Sequence, residues 1–176
     1  LRRVPAFAQW VEQDTTMPGQ WCARLWQPDA PFRFRHRRPR LEAFPRIYEA
    51  HVGMAQPALY RSADSVGSYA SFTRHILPRI REYGYTVVQL MGILEHPLYR
   101  SFGYQVSSYF APSSRYGTPD EFKALVDAAH GLGLAVVLDI PHGHACPNCD
   151  QEPPEFDSSS YFVSRQHKQC GTPCSA

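Results

Sequence analysis

Three side chains that could hold a sugar lie between residues 104 and 144. Tyr104 is the aromatic ring of the segment SFGYQ, and the apolar run LAVVLDI ends near Asp139, with His144 shortly after it. An aromatic ring offers an apolar face on which a sugar can stack, while a carboxylate and an imidazole can hydrogen-bond its hydroxyls. In parallel α/β proteins ligands bind at the carboxyl ends of strands. The pattern therefore predicts a carbohydrate-binding site.

Other residues near this segment could contribute to the same site. Glu95 and His96 follow an earlier apolar strand, and Gln105 is the neighbour of Tyr104. Glu95 could be catalytic or could be a structural carboxylate of the loop. His144 could bind a sugar or be an ordinary loop histidine, and Tyr104 could be a loop ring packed on the body of the protein. The residues alone leave these alternatives open.

The elements that would position these side chains follow a β-α-β-loop-α-β order. Apolar segments predict strands at 46–53, 85–92 and 134–140. Ser68 is placed to cap the first helix, which Pro78 should interrupt, and Tyr83 belongs to its expected apolar face. Thr118 opens a capping box for the second helix. The segment 93–117 is expected to be a long loop, and the three strands should form a parallel sheet.

The chain divides into three regions by composition. Residues 1–45 contain tryptophans and turn signals typical of short strands, and the alternation of apolar and basic residues over 32–37 predicts an edge strand. Residues 46–145 carry the α/β pattern described above. Residues 146–176 are rich in Pro, Ser, Gln and Cys and show no period, which indicates loop or disorder.

The bulk composition excludes several classes of protein. The chain has 176 residues and a net charge of +2, which indicates no polyanionic partner. No apolar run is long enough to span a membrane, and the first residues lack the apolar core of a signal peptide. The five cysteines are an odd number, which argues against a secreted disulfide framework. A cytoplasmic protein without a membrane partner is expected.

Two further clusters have a competing interpretation. Four cysteines of the last region have some resemblance to a zinc site, but the second pair has three intervening residues, so unpaired loop cysteines are the preferred interpretation and no metal is predicted. They are Cys146, Cys149, Cys170 and Cys174. Five arginines with interleaved phenylalanines could follow a nucleic-acid backbone, although a solvated surface beside a linker explains them without a nucleic-acid partner. They are Arg33, Arg35, Arg37, Arg38 and Arg40.

Longer motifs point to a family. The segments IYEAHVGMA, EHPLYRSFGYQ and FAPSSRYGTPDEF closely resemble the 1,4-α-glucan (glycogen or starch) branching enzymes of the α-amylase superfamily. The resemblance is close over residues 46–145. It continues weakly upstream, where VPAFAQWV and FRFRHRRP resemble the end of a carbohydrate-binding-like β-sandwich and its linker. It implies an α/β fold, a partial (β/α)₈ barrel of about three βα units preceded by the remnant of a β-sandwich module.

The resemblance also implies a reaction. Branching enzymes cut an α-1,4-glucan by a retaining double displacement and rejoin it as an α-1,6 branch, which requires a nucleophilic Asp and an acid/base Glu. By resemblance Tyr104 stacks on the sugar, and Asp139 and His144 hold the same sugar without being the nucleophile or the acid. The cysteine-rich tail and Pro141 depart from the family pattern. No cofactor is implied.

The segments that supply the nucleophile and the acid/base of the family are not found in this sequence, so we expect no catalytic residue in it. A complete barrel takes about 250 residues, whereas only 46–145 match closely. The chain is therefore expected to be a truncated part of a branching enzyme and inactive alone. A non-catalytic α-glucan-binding module is the alternative.

Overall fold

The computed structural model describes residues 4–17, 20–55 and 66–141. Within these ranges the chain forms short strands and three α-helices. The elements in chain order are β1 (Val11–Gln13), β2 (Trp21–Ala23), β3 (Ile47–Ala50), α1 (Tyr69–His75), α2 (Leu77–Glu82), β4 (Val87–Leu90), β5 (Leu94–Glu95), β6 (Ser108–Pro112), α3 (Pro119–Gly131) and β7 (Ala135–Leu138). Single 3₁₀ turns cover Tyr99–Ser101 and Ser114–Tyr116. No helix in the described ranges is both long and apolar enough to cross a membrane.

The central sheet contains three parallel strands in the order β3-β4-β7. In its register Glu49 lies opposite Gln89, and Gln89 lies opposite Val137. Laterally paired residues point to the same face of a sheet. The alternate residues Tyr48 and Val88 pack in the core with the helices. One face of the sheet is therefore covered by helices, and Glu49, Gln89 and Val137 occupy the other face. The predicted α/β class is confirmed.

The helices bury the face that the sequence pattern indicated, with one exception. Phe72 and Ile80 are almost completely buried in the core. The first predicted helix is divided into α1 and α2 at Ile76, and Pro78 lies in the first turn of α2, as expected. Tyr83, expected on the apolar face, is 66% exposed. That expectation was wrong because α2 ends at Glu82 and Tyr83 is its cap residue.

The three predicted strands are correct in position but too long. The observed strands have four residues each. The expectation of a long loop over 93–117 was wrong. That segment contains the antiparallel pair β5 and β6, with Glu95 opposite Ser108 and an irregularity next to Leu94. A two-residue strand is too short to show a period in the sequence, so this hairpin left no signal.

The N-terminal region contains one antiparallel pair, β1 and β2. Trp10 is 9% exposed and its ring lies 5.7 Å from that of Trp26. The edge strand predicted over 32–37 was wrong, since these residues form no strand. Their backbone is bound to α3 instead: the amides of Arg35 and His36 both donate to Asp127 Oδ1, at 2.8 and 2.9 Å.

Asp127 is the anchor of this linker. Its side chain is 4% exposed, and its Oδ2 also lies 3.2 Å from His36 Nδ1. The hydrogen bond from the His36 amide is the main cause that lowers the pKa of Asp127. The carboxylate therefore stays ionised near neutral pH and holds the backbone through charge-assisted hydrogen bonds.

We expect Asp127→Ala to release the arginine-rich linker from α3. Trypsin should then cut after Arg33, Arg35 or Arg37 at least roughly tenfold faster, because the closed state loses two hydrogen bonds to a charged group, and the loss of one such bond alone shifts the opening equilibrium by about tenfold. The measurement is the time course of limited trypsin digestion, followed by mass spectrometry. Asp120→Ala is the control, since Asp120 is on the same helix and pairs with Lys123 instead of with the linker. Equal cleavage rates in the two variants would show that Asp127 does not hold the linker.

Candidate carbohydrate-binding site

The structure brings together two of the three residues predicted to hold a sugar. The hydroxyl of Tyr104 donates a hydrogen bond to Asp139 Oδ2 at 2.8 Å. This hydrogen bond is the main cause that raises the pKa of Tyr104. Both side chains are half-buried, so each retains surface for a ligand. His144 lies outside the described residues.

Asp139 is positioned by the central strand. It directly follows β7, and its amide donates to Leu90 O of β4 at 3.1 Å, which extends the parallel pairing by one residue. Asp139 has the same parity as Val137, so it continues the face of the sheet opposite the helices. The apolar run before it forms the strand, and the carboxylate occupies its carboxyl end, as the sequence predicted.

Two polar residues on the same face were missed by the sequence analysis. Gln89 Nε2 donates to Glu49 Oε1 at 3.1 Å, and the charge of Glu49 is among the causes that raise the pKa of Tyr104. Each is the single polar residue of its strand, IYEA or VVQL. The sequence signal that could have revealed them is a polar residue at the third position of each of these two parallel strands. Glu49 and Gln89 therefore add polar groups to the face of the sheet next to Tyr104 and Asp139.

Tyr104 is positioned by a close contact between two glycines. Gly92 follows β4 and Gly103 precedes Tyr104, and both have positive φ, +53° and +87°. A Cβ on Gly103 would overlap the backbone of Gly92, and a Cβ on Gly92 would overlap the Phe102 carbonyl. The turn that carries Tyr104 therefore rests directly on the end of the central strand, which only glycine permits at both positions.

Glu95 does not reach this site. It is fully buried, and both of its carboxylate oxygens accept hydrogen bonds inside the 93–117 segment. Oε1 accepts from the His96 amide at 3.0 Å and from Ser113 Oγ at 3.4 Å, and Oε2 accepts from the Ser114 amide at 2.7 Å. Burial is the main cause that raises its pKa to about 7, against these hydrogen bonds, which lower it.

His96 and Gln105 are also accounted for by local contacts. His96 is fully buried, its Nδ1 lies 2.8 Å from Leu94 O, and its Nε2 has no hydrogen-bond partner among the described residues. Burial lowers the pKa of His96, which keeps the imidazole neutral near pH 7. Gln105 is half-buried beside Tyr104, and its amide donates to Ser101 Oγ at 3.3 Å. Of these residues, only Gln105 is a neighbour of the Tyr104–Asp139 pair.

The described residues contain no group of three or more His, Cys, Asp and Glu side chains that could hold a metal ion. The four cysteines of the zinc-like pattern lie in the part of the chain outside those residues. Cys22 is described and is a free thiol, with its Sγ 3.7 Å from Asp14 Oδ2.

The arrangement provides groups that can hydrogen-bond hydroxyls next to a ring on which a ligand can stack. The Tyr104 ring supplies an aromatic surface, and Asp139, Glu49 and Gln89 supply hydrogen-bonding groups at the carboxyl ends of neighbouring parallel strands. This is the edge at which barrel enzymes bind their substrates.

Comparison with known families agrees with this geometry. Residues 61–174 match the family described as alpha amylase, catalytic domain. This match covers more than half of the chain. The chain therefore belongs to the α-amylase family.

Within that family its relatives are branching enzymes. Over 92% of its length the chain is 51% identical to the 1,4-alpha-glucan-branching enzyme of Eremothecium gossypii. It is 48% identical over 93% of its length to that of Felis catus, and 45% identical over 90% to that of Yarrowia lipolytica. The chain spans 23% of the length of each of these relatives. The resemblance to branching enzymes found in the sequence motifs is confirmed.

The fold is also that of an amylase domain. A crystal structure of a Salmonella typhimurium protein, assigned as an α-amylase, superposes with a TM-score of 0.53 and 37% identity. The superposition covers 64% of this chain and 17% of that protein. The three parallel strands and their helices are thus part of a (β/α)₈ barrel, as predicted.

The contact between Gly92 and Gly103 generates a first prediction for the site. Gly103→Ala should lower the free energy of unfolding by about 2–4 kcal/mol, because it adds steric overlap to the cost of positive φ. Gly84→Ala is the matched control: Gly84 has φ +81°, but apart from its chain neighbours no atom of the described residues lies within 4 Å of its Cβ position. It should cost only about 1 kcal/mol. Urea denaturation measures both values, and equal losses would argue against the close contact.

A second prediction follows from the buried Glu95. Its pKa is raised by folding, so the unfolded chain releases the proton first, and the folded state loses stability as pH rises from about 4.5 to about 7. The loss is on the order of 3 kcal/mol. Glu95→Gln removes this titration. The difference in unfolding free energy between the two proteins should therefore change between pH 4.5 and pH 8, and a constant difference would contradict the raised pKa.

Proposed function

We propose that this chain is the substrate-binding part of a 1,4-α-glucan branching enzyme, and that it holds one glucose unit of an α-1,4-glucan between Tyr104, Asp139 and His144. The observation that carries the proposal is the hydrogen bond from Tyr104 to Asp139 at 2.8 Å. It fixes the ring beside the carboxylate at the carboxyl ends of β4 and β7. The kinship with branching enzymes supports the choice of ligand.

In this proposal each residue binds and none breaks a bond. The Tyr104 ring stacks on the apolar face of the glucose, while Asp139 accepts hydrogen bonds from its hydroxyls. Asp139 already accepts the Tyr104 hydroxyl, which fixes its orientation before the sugar arrives. His144 would hydrogen-bond the same glucose. The nucleophile and the acid/base of a retaining transglycosylation are then supplied by sequence beyond this chain.

The chain by itself is accordingly proposed to bind glucan without branching it. The odd number of cysteines favours a reducing compartment, so we place its action in the cytoplasm. A non-catalytic α-glucan-binding module would share the same contacts. The absence of a nucleic-acid or membrane partner stays a prediction from composition.

Binding of maltoheptaose tests the proposal. Tyr104→Ala should weaken binding by about tenfold or more, since it removes both the stacking surface and the group that orients Asp139. Tyr83→Ala is the matched control, because Tyr83 is 66% exposed and is the cap residue of α2. Isothermal titration calorimetry measures the dissociation constants. Equal affinities of the two variants would place the sugar elsewhere.

The same samples can be incubated with amylose and stained with iodine. The proposal expects the absorbance to remain constant, because no pair of catalytic carboxylates is assigned to this chain. A fall in absorbance that depends on this chain would overturn the assignment of the missing carboxylates, whatever the binding result.

A further inference from the structure

Glu95 is a buried carboxylate that cannot contact a sugar, yet it lies in the segment that carries the aromatic ring of the site. We propose that Glu95 is the positioning residue for Tyr104, and that it fixes the 93–117 segment so that the Tyr104 hydroxyl meets Asp139. The functional importance of this role rests on the proposed glucan site, but the contacts from which it is argued do not depend on any ligand.

The first step is the closure of the segment. The His96 amide lies at its beginning and the Ser114 amide at its end, and both donate to the carboxylate of Glu95, at 3.0 and 2.7 Å. The Ser113 amide donates to Ile93 O at 2.8 Å beside this carboxylate. The carboxylate is fully buried, so water does not compete for these hydrogen bonds. The Glu95 side chain therefore joins the two ends of the 93–117 segment.

The second step leads from Ser114, at the end of the segment that Glu95 closes, to the 3₁₀ turn before Tyr104. Arg115 follows Ser114, and its guanidinium carbon lies 3.8 Å from the centroid of the Tyr99 ring. This is a close cation–π contact. The Ser114 amide is held by Glu95, and the next residue, Arg115, contacts the ring of Tyr99, the residue at which the 3₁₀ turn begins.

The third step leads from this turn to the site. The Tyr104 amide donates to Ser101 O at 3.0 Å, and the Gln105 amide donates to Ser101 Oγ at 3.3 Å. The turn Tyr99–Ser101 thus fixes the backbone on which the Tyr104 ring is mounted. A continuous series of contacts connects Glu95, through Arg115 and Tyr99, with the phenol that binds Asp139.

The test reads the Tyr104–Asp139 contact directly. The chain is labelled with tyrosine carrying ¹³C at Cζ, whose chemical shift reports hydrogen bonding of the hydroxyl, and Tyr104→Phe assigns the signal among the ten tyrosines. Asp139→Ala gives the reference shift for a lost contact. Glu95→Gln is expected to move the Tyr104 signal in the same direction and to weaken maltoheptaose binding roughly tenfold, the loss of about one hydrogen bond.

Glu121→Gln is the matched control. Glu121 is also a carboxylate that accepts a backbone amide, that of Thr118 at 2.7 Å, but its hydrogen bonds cap the start of α3. It is expected to leave the Tyr104 signal in place even where it lowers stability. A Glu95→Gln protein with an unmoved Tyr104 signal would overturn the proposal.

A double-mutant cycle tests the route. If Glu95 acts through Arg115, the effects of Glu95→Gln and Arg115→Met on the Tyr104 shift will be less than additive in the double variant. Additive effects would show that the two residues act independently and would overturn this route. Ser113→Ala removes one hydroxyl donor to Glu95 and leaves the carboxylate, so it takes the place of Glu95→Gln if that variant does not fold.

The two proposals can fail separately. If the Tyr104 signal moves in Glu95→Gln while the unaltered chain binds no maltoheptaose, the positioning role stands and the glucan site fails. If the unaltered chain binds the sugar and Glu95→Gln changes neither the signal nor the affinity, the glucan site stands and the positioning role is overturned.

Discussion

The carboxyl end of β4 is the constraint on which the site depends. Leu90 O accepts the Asp139 amide, Gln89 holds Glu49, and Gly92 receives the backbone of the turn that carries Tyr104. The parallel register of the strands therefore also determines the site, because it places each of its polar groups at the same edge of the sheet. A shift of one residue in that register would turn Gln89 toward the helices and remove Asp139 from the phenol.

The sequence predicted the parts of the structure that follow from local patterns. The apolar run before Asp139 has to be a buried strand, and its carboxyl end has to lie at the edge where ligands bind. The helix cap at Thr118 and the interruption at Pro78 are likewise local and were correct. The meeting of Tyr104 with Asp139 is different, because it was expected from the types of the residues and from the family resemblance, and not from any period in the sequence.

The features that the sequence did not reveal depend on contacts between distant residues. The hairpin of β5 and β6 begins with a two-residue strand, and the anchoring of Arg35 by Asp127 joins residues 92 positions apart. Neither leaves a periodic signal. Glu95 illustrates the cost of such contacts: its burial opposes ionisation, as its pKa of about 7 records, and the hydrogen bonds it accepts offset only part of that cost.

The way Asp127 holds the linker also bears on how this region can change in evolution. Its strongest contacts are with the backbone amides of Arg35 and His36, which every residue except proline possesses. The Arg35 side chain is 85% exposed and adds only a 3.7 Å approach. Sequence drift along the linker is therefore compatible with its attachment as long as proline is avoided at these two places. Asp127, the acceptor on α3, has no such freedom. We therefore expect substitutions to accumulate in the linker at positions 35 and 36 and not at position 127.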